Sequence, residues 1–258
     1  MGRLIAVVNQ KGGVGKTTTA VNLTAALKAQ GARVLLVDFD PQANASSGMG
    51  LPRGLKYTSY DLIINDVPVL DVIQHTQYGD VIPSSNALAG AAVELIGLDE
   101  REYQLKKAIS PLKGLYDYIL IDCPPSLELL TLNALCAAES ILVPVQCEYY
   151  ALEGLSDLMA TMRAVKRRLN PGLSMFGVLL TMFDGRTNFS NQVAQEVRKH
   201  FPGKVYATAI PRNVRLAEAP SYGLPVLAYD KHSRGAQAYL TVAEEIVKTN
   251  QPGFVPAR

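Results

Sequence analysis

A chain of 258 residues, 48% of them apolar, is long enough to bury one sizeable core, as one domain or two small ones. A net charge of +2 and a pI near 8.3 exclude a uniformly basic nucleic-acid binder, so any surface for polyanions must come from local clustering or from assembly. No apolar run approaches the roughly 18 residues of a membrane span, and Cys123, Cys136 and Cys147 form no C-x-x-C pair, which argues against a disulfide framework or a zinc site.

In chain order, short runs rich in Val, Ile and Leu recur at Leu4 to Val8, Val34 to Val37, Ile119 to Ile121, Ile141 to Val145, Val178 to Leu180 and Val205 to Ile210. Unalternated runs of this length suit strands buried on both faces of a parallel sheet, although one alone is also compatible with buried helix. The intervening segments decide. Thr17 to Gln30, ended by Gly31, carries helical spacing, as do Leu127 to Ala138, Ala151 to Leu169 and Gly235 to Lys248. Strands alternating with helices predict the α/β class: a doubly wound, mostly parallel sheet flanked by helices in three α/β/α layers. Residues 51–116 have weak periodicity and scattered Gly and Pro, and are expected as helices and loops decorating the sheet. The expectation is one domain over 1–250 and a flexible tail over 251–258, in a cytoplasmic protein with no charged leader ahead of its first strand.

Lys11-Gly12-Gly13-Val14-Gly15-Lys16-Thr17-Thr18 follows the first predicted strand and opens the first predicted helix. Glycines there let the backbone turn its N–H groups toward phosphate oxygens, and the helix N-terminus adds a favourable dipole. In such a loop Lys16 contacts the β and γ phosphates of a nucleotide and the Thr17 hydroxyl ligates magnesium. Gln10 stands where the strict motif has glycine, so the loop is a variant. Ile119 to Asp122 reads as a buried strand ending in a carboxylate, suited to hold magnesium through water; the alternative is a cap for the next helix. Asp38 and Asp40 project to the same side at the carboxyl end of the second strand, where ligands sit in these sheets. One is expected to organise the water around the metal and the other to orient the attacking water. The competing reading is a solvated acidic turn closed by Pro41.

These segments resemble the ParA/Soj family of chromosome- and plasmid-partitioning ATPases, relatives of MinD and the nitrogenase iron protein. The likeness is carried by the loop, by Asp38-Phe39-Asp40-Pro41-Gln42, by Ile121-Asp122-Cys123-Pro124-Pro125 and by Pro144 to Gly154. Thr181 to Thr187 and Ile210 to Ser221 extend it. The resemblance implies that Lys11 reaches the phosphates of a second subunit across a nucleotide-sandwich homodimer, with Gly12 at the subunit contact. Lys11, Lys16 and Asp40 are then the catalytic residues, and Thr17, Asp38 and Asp122 serve the magnesium. It further implies that Pro211, Arg212 and Asn213 flank adenine, near Thr181 and Asp184, that Glu148 contacts nucleotide across the dimer, and that a ParB-type centromere-binding partner stimulates hydrolysis. The family pattern often has glycine where this chain has Ala43.

A membrane-recruited relative should end in an amphipathic helix with a basic face; the last predicted helix carries Glu244 and Glu245 with only Lys248 as its cation, so no membrane is expected. Candidates for non-specific DNA contact are Arg186, Lys204, Arg215, Lys231 and Arg234, with Arg186 and Arg215 at positions the resembled family uses. Each is also compatible with a salt-bridged surface residue. Lys166-Arg167-Arg168 falls at a helix C-terminus and suits the dipole. Location on the nucleoid follows from the resemblance. Because the chain enters its first strand at once, no N-terminal helix-turn-helix domain is expected.

Overall fold

The computed structural model describes residues 2–148 and 151–250. Along β1, Arg3–Val7, the side chains of Leu4 and Ala6 pack on one face of a sheet and those of Ile5 and Val7 on the other, and all four are buried. Helices cover both faces, which is why the run carries no polar alternation. The other strands are β2 (Val34–Asp38), β3 (Gln74–Thr76), β4 (Gly79–Ile82), β5 (Tyr118–Asp122), β6 (Ser140–Gln146) and β7 (Ser174–Thr181). They form one sheet in the order β3-β4-β2-β5-β1-β6-β7, parallel throughout except for the β3–β4 pair. This is the doubly wound α/β architecture expected from the sequence.

The helices in chain order are α1 (Lys16–Ala29), α2 (Asn44–Gly48), α3 (Ser59–Ile64), α4 (Val69–Val72), α5 (Leu88–Glu94), α6 (Gln104–Ile109), α7 (Leu129–Ala137), α8 (Ala151–Arg168), α9 (Asn188–His200), α10 (Val214–Glu218), α11 (Val226–Tyr229) and α12 (Arg234–Asn250). One core joins α1 and α12 to the Ile5, Val7 and Leu36 face. The other joins α3 through α9 to the Leu4, Ala6, Leu35 and Val37 face.

Three expectations are corrected. Residues 51–116 do more than decorate the sheet, because β3 and β4 lie there and β4 pairs in parallel with β2, Leu36 opposite Val81. These strands are three and four residues long and contribute little apolar pattern, so periodicity could not reveal them. The turn between them brings Gly79 (φ +140°) so close to α1 that a Cβ would stand 2.6 Å from Thr24 Cγ2. The second correction concerns Val205 to Ile210, which forms bridges to β7 at Val205 and just beyond at Pro211, with no strand between them. Tyr206 and Ile210 donate backbone bonds to β7. Ala207 and Thr208 between them instead donate their N–H groups to the Glu245 carboxylate of α12, each at 3.0 Å, and this interrupts the ladder. Third, α9 was not expected; only Ala194 and Val197 of its apolar residues are fully buried, and Thr187 caps it by accepting from Ser190 N–H. Tyr149, Tyr150 and the expected tail over 251–258 lie outside the described residues.

Candidate functional site

The loop between β1 and α1 is built on two glycines with left-handed backbone, Gly13 at φ +74° and Gly15 at φ +89°. Side chains from elsewhere pin its ends. Asn9 Nδ2 donates to Pro144 O at 2.8 Å while Asn9 Oδ1 accepts Lys11 N–H, and Thr181 Oγ1 donates to Val14 O at 2.8 Å. Gly15 at the N-cap supplies no side-chain acceptor, so the first N–H groups of α1 remain available to an anion. Lys16 lies across the loop, 7% exposed, with Nζ donating to Lys11 O at 3.0 Å. Burial lowers its pKa most, against the opposing pull of Asp122, Cys123 and Asp40.

The three carboxylates meet at the carboxyl edge of the sheet. Register makes Asp38 of β2 the direct neighbour of Asp122 of β5, and both are fully buried. Asp38 is held: Oδ2 accepts from Ser46 N–H and Ser46 Oγ, each at 2.7 Å, and Oδ1 accepts Asp40 N–H at 3.3 Å. Burial still pushes its pKa up to about 6. Neither oxygen of Asp122 has a hydrogen-bond partner of good geometry. Its pKa is raised well above the carboxylate range by burial and next by Asp38, with Thr17 and Lys16 pulling the other way. Asp40, 7% exposed, accepts Gln42 N–H on Oδ1 at 2.9 Å.

Two adjacent buried carboxylates, one without a well-formed hydrogen bond, require compensating positive charge or water to stay ionised. Among the described residues no group of three His, Cys, Asp or Glu side chains stands ready to ligate a metal directly. The oxygen donors gathered here, the Thr17 hydroxyl and the Asp38 and Asp122 carboxylates, fit a hard cation such as magnesium.

Beside Gly15 and Thr18, a cavity of about 220 Å³ is walled by Thr181, Met182, Pro211, Arg212 and Asn213, with Tyr239 also lining it. The structure thus brings the expected adenine-flanking residues to the mouth of the phosphate loop. At the opposite, exposed tip of the loop, the Lys11 ammonium forms an ion pair with Glu148 of its own chain. Gly12 is exposed, has no left-handed φ, and a Cβ there would meet nothing within 4 Å.

The basic candidates do not share one surface. Arg186, Arg212 and Arg234 line a hollow of about 600 Å³ together with Asp184. Arg186 is tied to Asp184 at 2.9 and 2.8 Å, and this pairing, a side-chain hydrogen bond first, lowers the Asp184 pKa to about 2. Arg215 pairs with Glu218 and Asp230, and Lys204 borders a different hollow, with Nζ on Met175 O. Among the described residues, Arg234 and Lys231 have no ion-pair partner.

A family model described as an AAA domain matches residues 2–175. The Bacillus subtilis (strain 168) sporulation initiation inhibitor protein Soj is 56% identical over 249 residues, covering 95% of this chain and 98% of that protein. The Myxococcus xanthus (strain DK1622) chromosome partitioning protein ParA is 52% identical over 255 residues, 98% of this chain and 90% of that protein. The chain belongs to the ParA/Soj family of chromosome-partitioning ATPases. The structure of cobyrinic acid a,c-diamide synthase from Mycobacterium smegmatis, with bound ATP analog and magnesium, matches at a TM-score of 0.86 and 37% identity over 98% of each chain.

In this ParA/Soj chain, sequence reasoning missed Asn9, Ser46, Ser84 and the cavity role of Tyr239. Tyr239 falls inside the helix expected over Gly235 to Lys248, and its hydroxyl lies 3.1 Å from Thr19 Oγ1 behind the loop. A tyrosine in a core-facing stripe is itself a signal, because a buried hydroxyl needs a partner. No comparable signal marks Ser46 or Ser84, whose roles arise only from contacts across the sheet edge.

Proposed function

We propose that residues 1–250 act as one ATPase domain that binds MgATP, closes into a homodimer around two nucleotides and holds non-specific DNA as that dimer. Hydrolysis, stimulated by a ParB-type partner, releases it, and the cycle drives chromosome or plasmid segregation on the nucleoid. The observation that carries this reading is the exposed loop tip. Nothing within one chain demands glycine at position 12, where backbone angle and space both admit a side chain. A side chain at position 12 would instead stand in the way of a second subunit approaching the tip.

The residues divide the work. Gly13, Val14, Gly15 and the first turn of α1 present N–H groups to the phosphates, Lys16 neutralises charge in its own site, and Thr18 borders the nucleoside pocket with Pro211, Arg212 and Asn213. Thr17, with Asp38 and Asp122 through water, would hold magnesium, which would supply charge neutralisation at the phosphates. Asp40 orients the attacking water. Lys11 is not needed within its own loop; with a partner present it exchanges Glu148 for the partner's phosphates and balances the charge that develops during transfer, as an arginine finger does. Glu148 is thereby read as the resting counter-ion of Lys11 instead of a nucleotide contact. Duplicated on a dimer, Arg234 and the Arg186 and Arg212 cluster give a near-neutral chain a two-fold phosphate-binding face.

The test compares wild type with Asp40→Ala and Gly12→Val. Asp40→Ala is expected to slow ATP turnover by about 10²-fold or more and to persist on DNA with ATP. Gly12→Val is expected to bind ATP while sedimenting as a monomer. Unchanged turnover in the first variant together with dimers in the second refutes the mechanism. The likeness to the Mycobacterium smegmatis synthase favours a second reading, a metabolic ATP-dependent enzyme of this fold. Turnover that rises with a small carboxylate and ignores DNA selects it.

A further inference from the structure

Asp38 and Asp122 stand side by side with the same burial, yet only Asp38 is fastened. Its fastening comes from Ser46, eight residues on and inside α2, which donates both its backbone N–H and its hydroxyl to the single oxygen Oδ2. Ser46 Oγ in turn accepts the backbone N–H of Ser84, just past β4, at 3.0 Å. A serine hydroxyl has one proton. Because Ser84 N–H can only donate, that proton is committed to Asp38. Both acceptor positions of Oδ2 are thus engaged from the α2 side, and Oδ1, with only the longer 3.3 Å contact from Asp40 N–H, is the oxygen left to face the site.

We propose that Ser46 is a positioning residue for magnesium: its hydroxyl, itself oriented by Ser84, fixes the rotation of the Asp38 carboxylate so that Oδ1 meets the water around the ion. The inference rests on the MgATP reading above. It makes α2 and the chain leaving β4 part of the metal site, although neither touches the ion. Residues that orient a metal's direct ligands change its affinity by about 10- to 100-fold when removed, and Ser46, acting on a carboxylate behind the water, is expected at the lower end of that range.

The experiment measures retention of a fluorescent ATP analogue across a magnesium series and in EDTA, for wild type, Ser46→Ala and Ser46→Thr, beside thermal unfolding of the nucleotide-free proteins. Ser46→Ala is expected to need about tenfold more magnesium for half-maximal retention, with its EDTA affinity unchanged. Ser46→Thr keeps the hydroxyl. Ser46 borders a cavity of about 550 Å³, and this variant should match wild type. Should the alanine variant fail to fold, Ser46→Cys, which keeps the volume but weakens both hydrogen bonds, is expected to show the same shift. An alanine or cysteine variant with wild-type magnesium dependence, or one weakened equally with and without magnesium, overturns the proposal, as does failure of a folded threonine variant to restore it. Wild type that retains nucleotide equally in EDTA and magnesium overturns the MgATP reading instead.

Discussion

A methyl group at position 43 sits where the backbone adopts φ +54°, ψ +31° at the N-cap of α2. The left-handed region costs an L-residue about 1–2 kcal/mol because Cβ crowds the following carbonyl. The strain lies between Asp40, whose carbonyl accepts Ala43 N–H, and Ser46. Ala43→Gly is expected to raise unfolding stability by about 1 kcal/mol in urea titrations, after the larger chain entropy of glycine is subtracted. A second residue-scale outcome concerns Asp184. Its carboxyl is held near 2 by Arg186, below the unfolded value of about 4. The sign follows: the pair stabilises the fold fully above about pH 4, and the contribution disappears as pH falls through 2. Carboxyl NMR should find Asp184 titrating near 2 in wild type and in the ordinary carboxylate range in Arg186→Ala. The same pairing means that Arg186 must give up a bidentate partner before it can hold a DNA phosphate.

At the scale of elements, α12 does more than bury Tyr239, Val242, Ala243 and Ile246. Its Glu245 replaces a strand partner for Ala207 and Thr208, taking two N–H groups and the Thr208 hydroxyl on one carboxylate. Glu245→Ala is expected to destabilise the protein by about 2 kcal/mol, since bonds to a charged acceptor are lost and the amides are left poorly paired. Hydrogen exchange should speed at amides 207 and 208 and stay slow at Tyr206 and Ile210, which bond β7. The apolar run from Val205 to Ile210 was legible as a sheet-associated segment. Its interruption was not, because the acceptor lies nearly forty residues further along the chain.

For the whole molecule, the proposed function has two copies combining weak single-chain features. Arg234 is exposed and has no ion pair among the described residues, whereas Arg215 is engaged by Glu218 and Asp230. Each phosphate contact changes the slope of log K against log salt by about 0.9. Arg234→Ala, losing one contact per subunit, is therefore expected to flatten the slope for the ATP-bound dimer by roughly 2. Arg215→Ala should lower thermal stability as well as affinity, because its ion pair with Asp230 bridges α10 to the residue after α11. DNA co-sedimentation across a salt series, beside unfolding curves, checks both.

The phosphate loop was readable from residues alone because its chemistry is local: Gly13 and Gly15 supply backbone angles, and Lys16 and Thr17 open the helix that follows. Burial of β1, β2 and β5 was equally readable, since an unbroken apolar run has no solvent face to offer. The adjacency of Asp38 and Asp122, the clasp of Ser46 on Asp38 and the insertion of β4 beside β2 depend on strand order and register. So does the seating of Tyr239 behind the loop, which needs α12 folded back onto α1. Hydrogen bonds and charge act over a few ångströms, and only the folded sheet brings residues dozens of positions apart within that range.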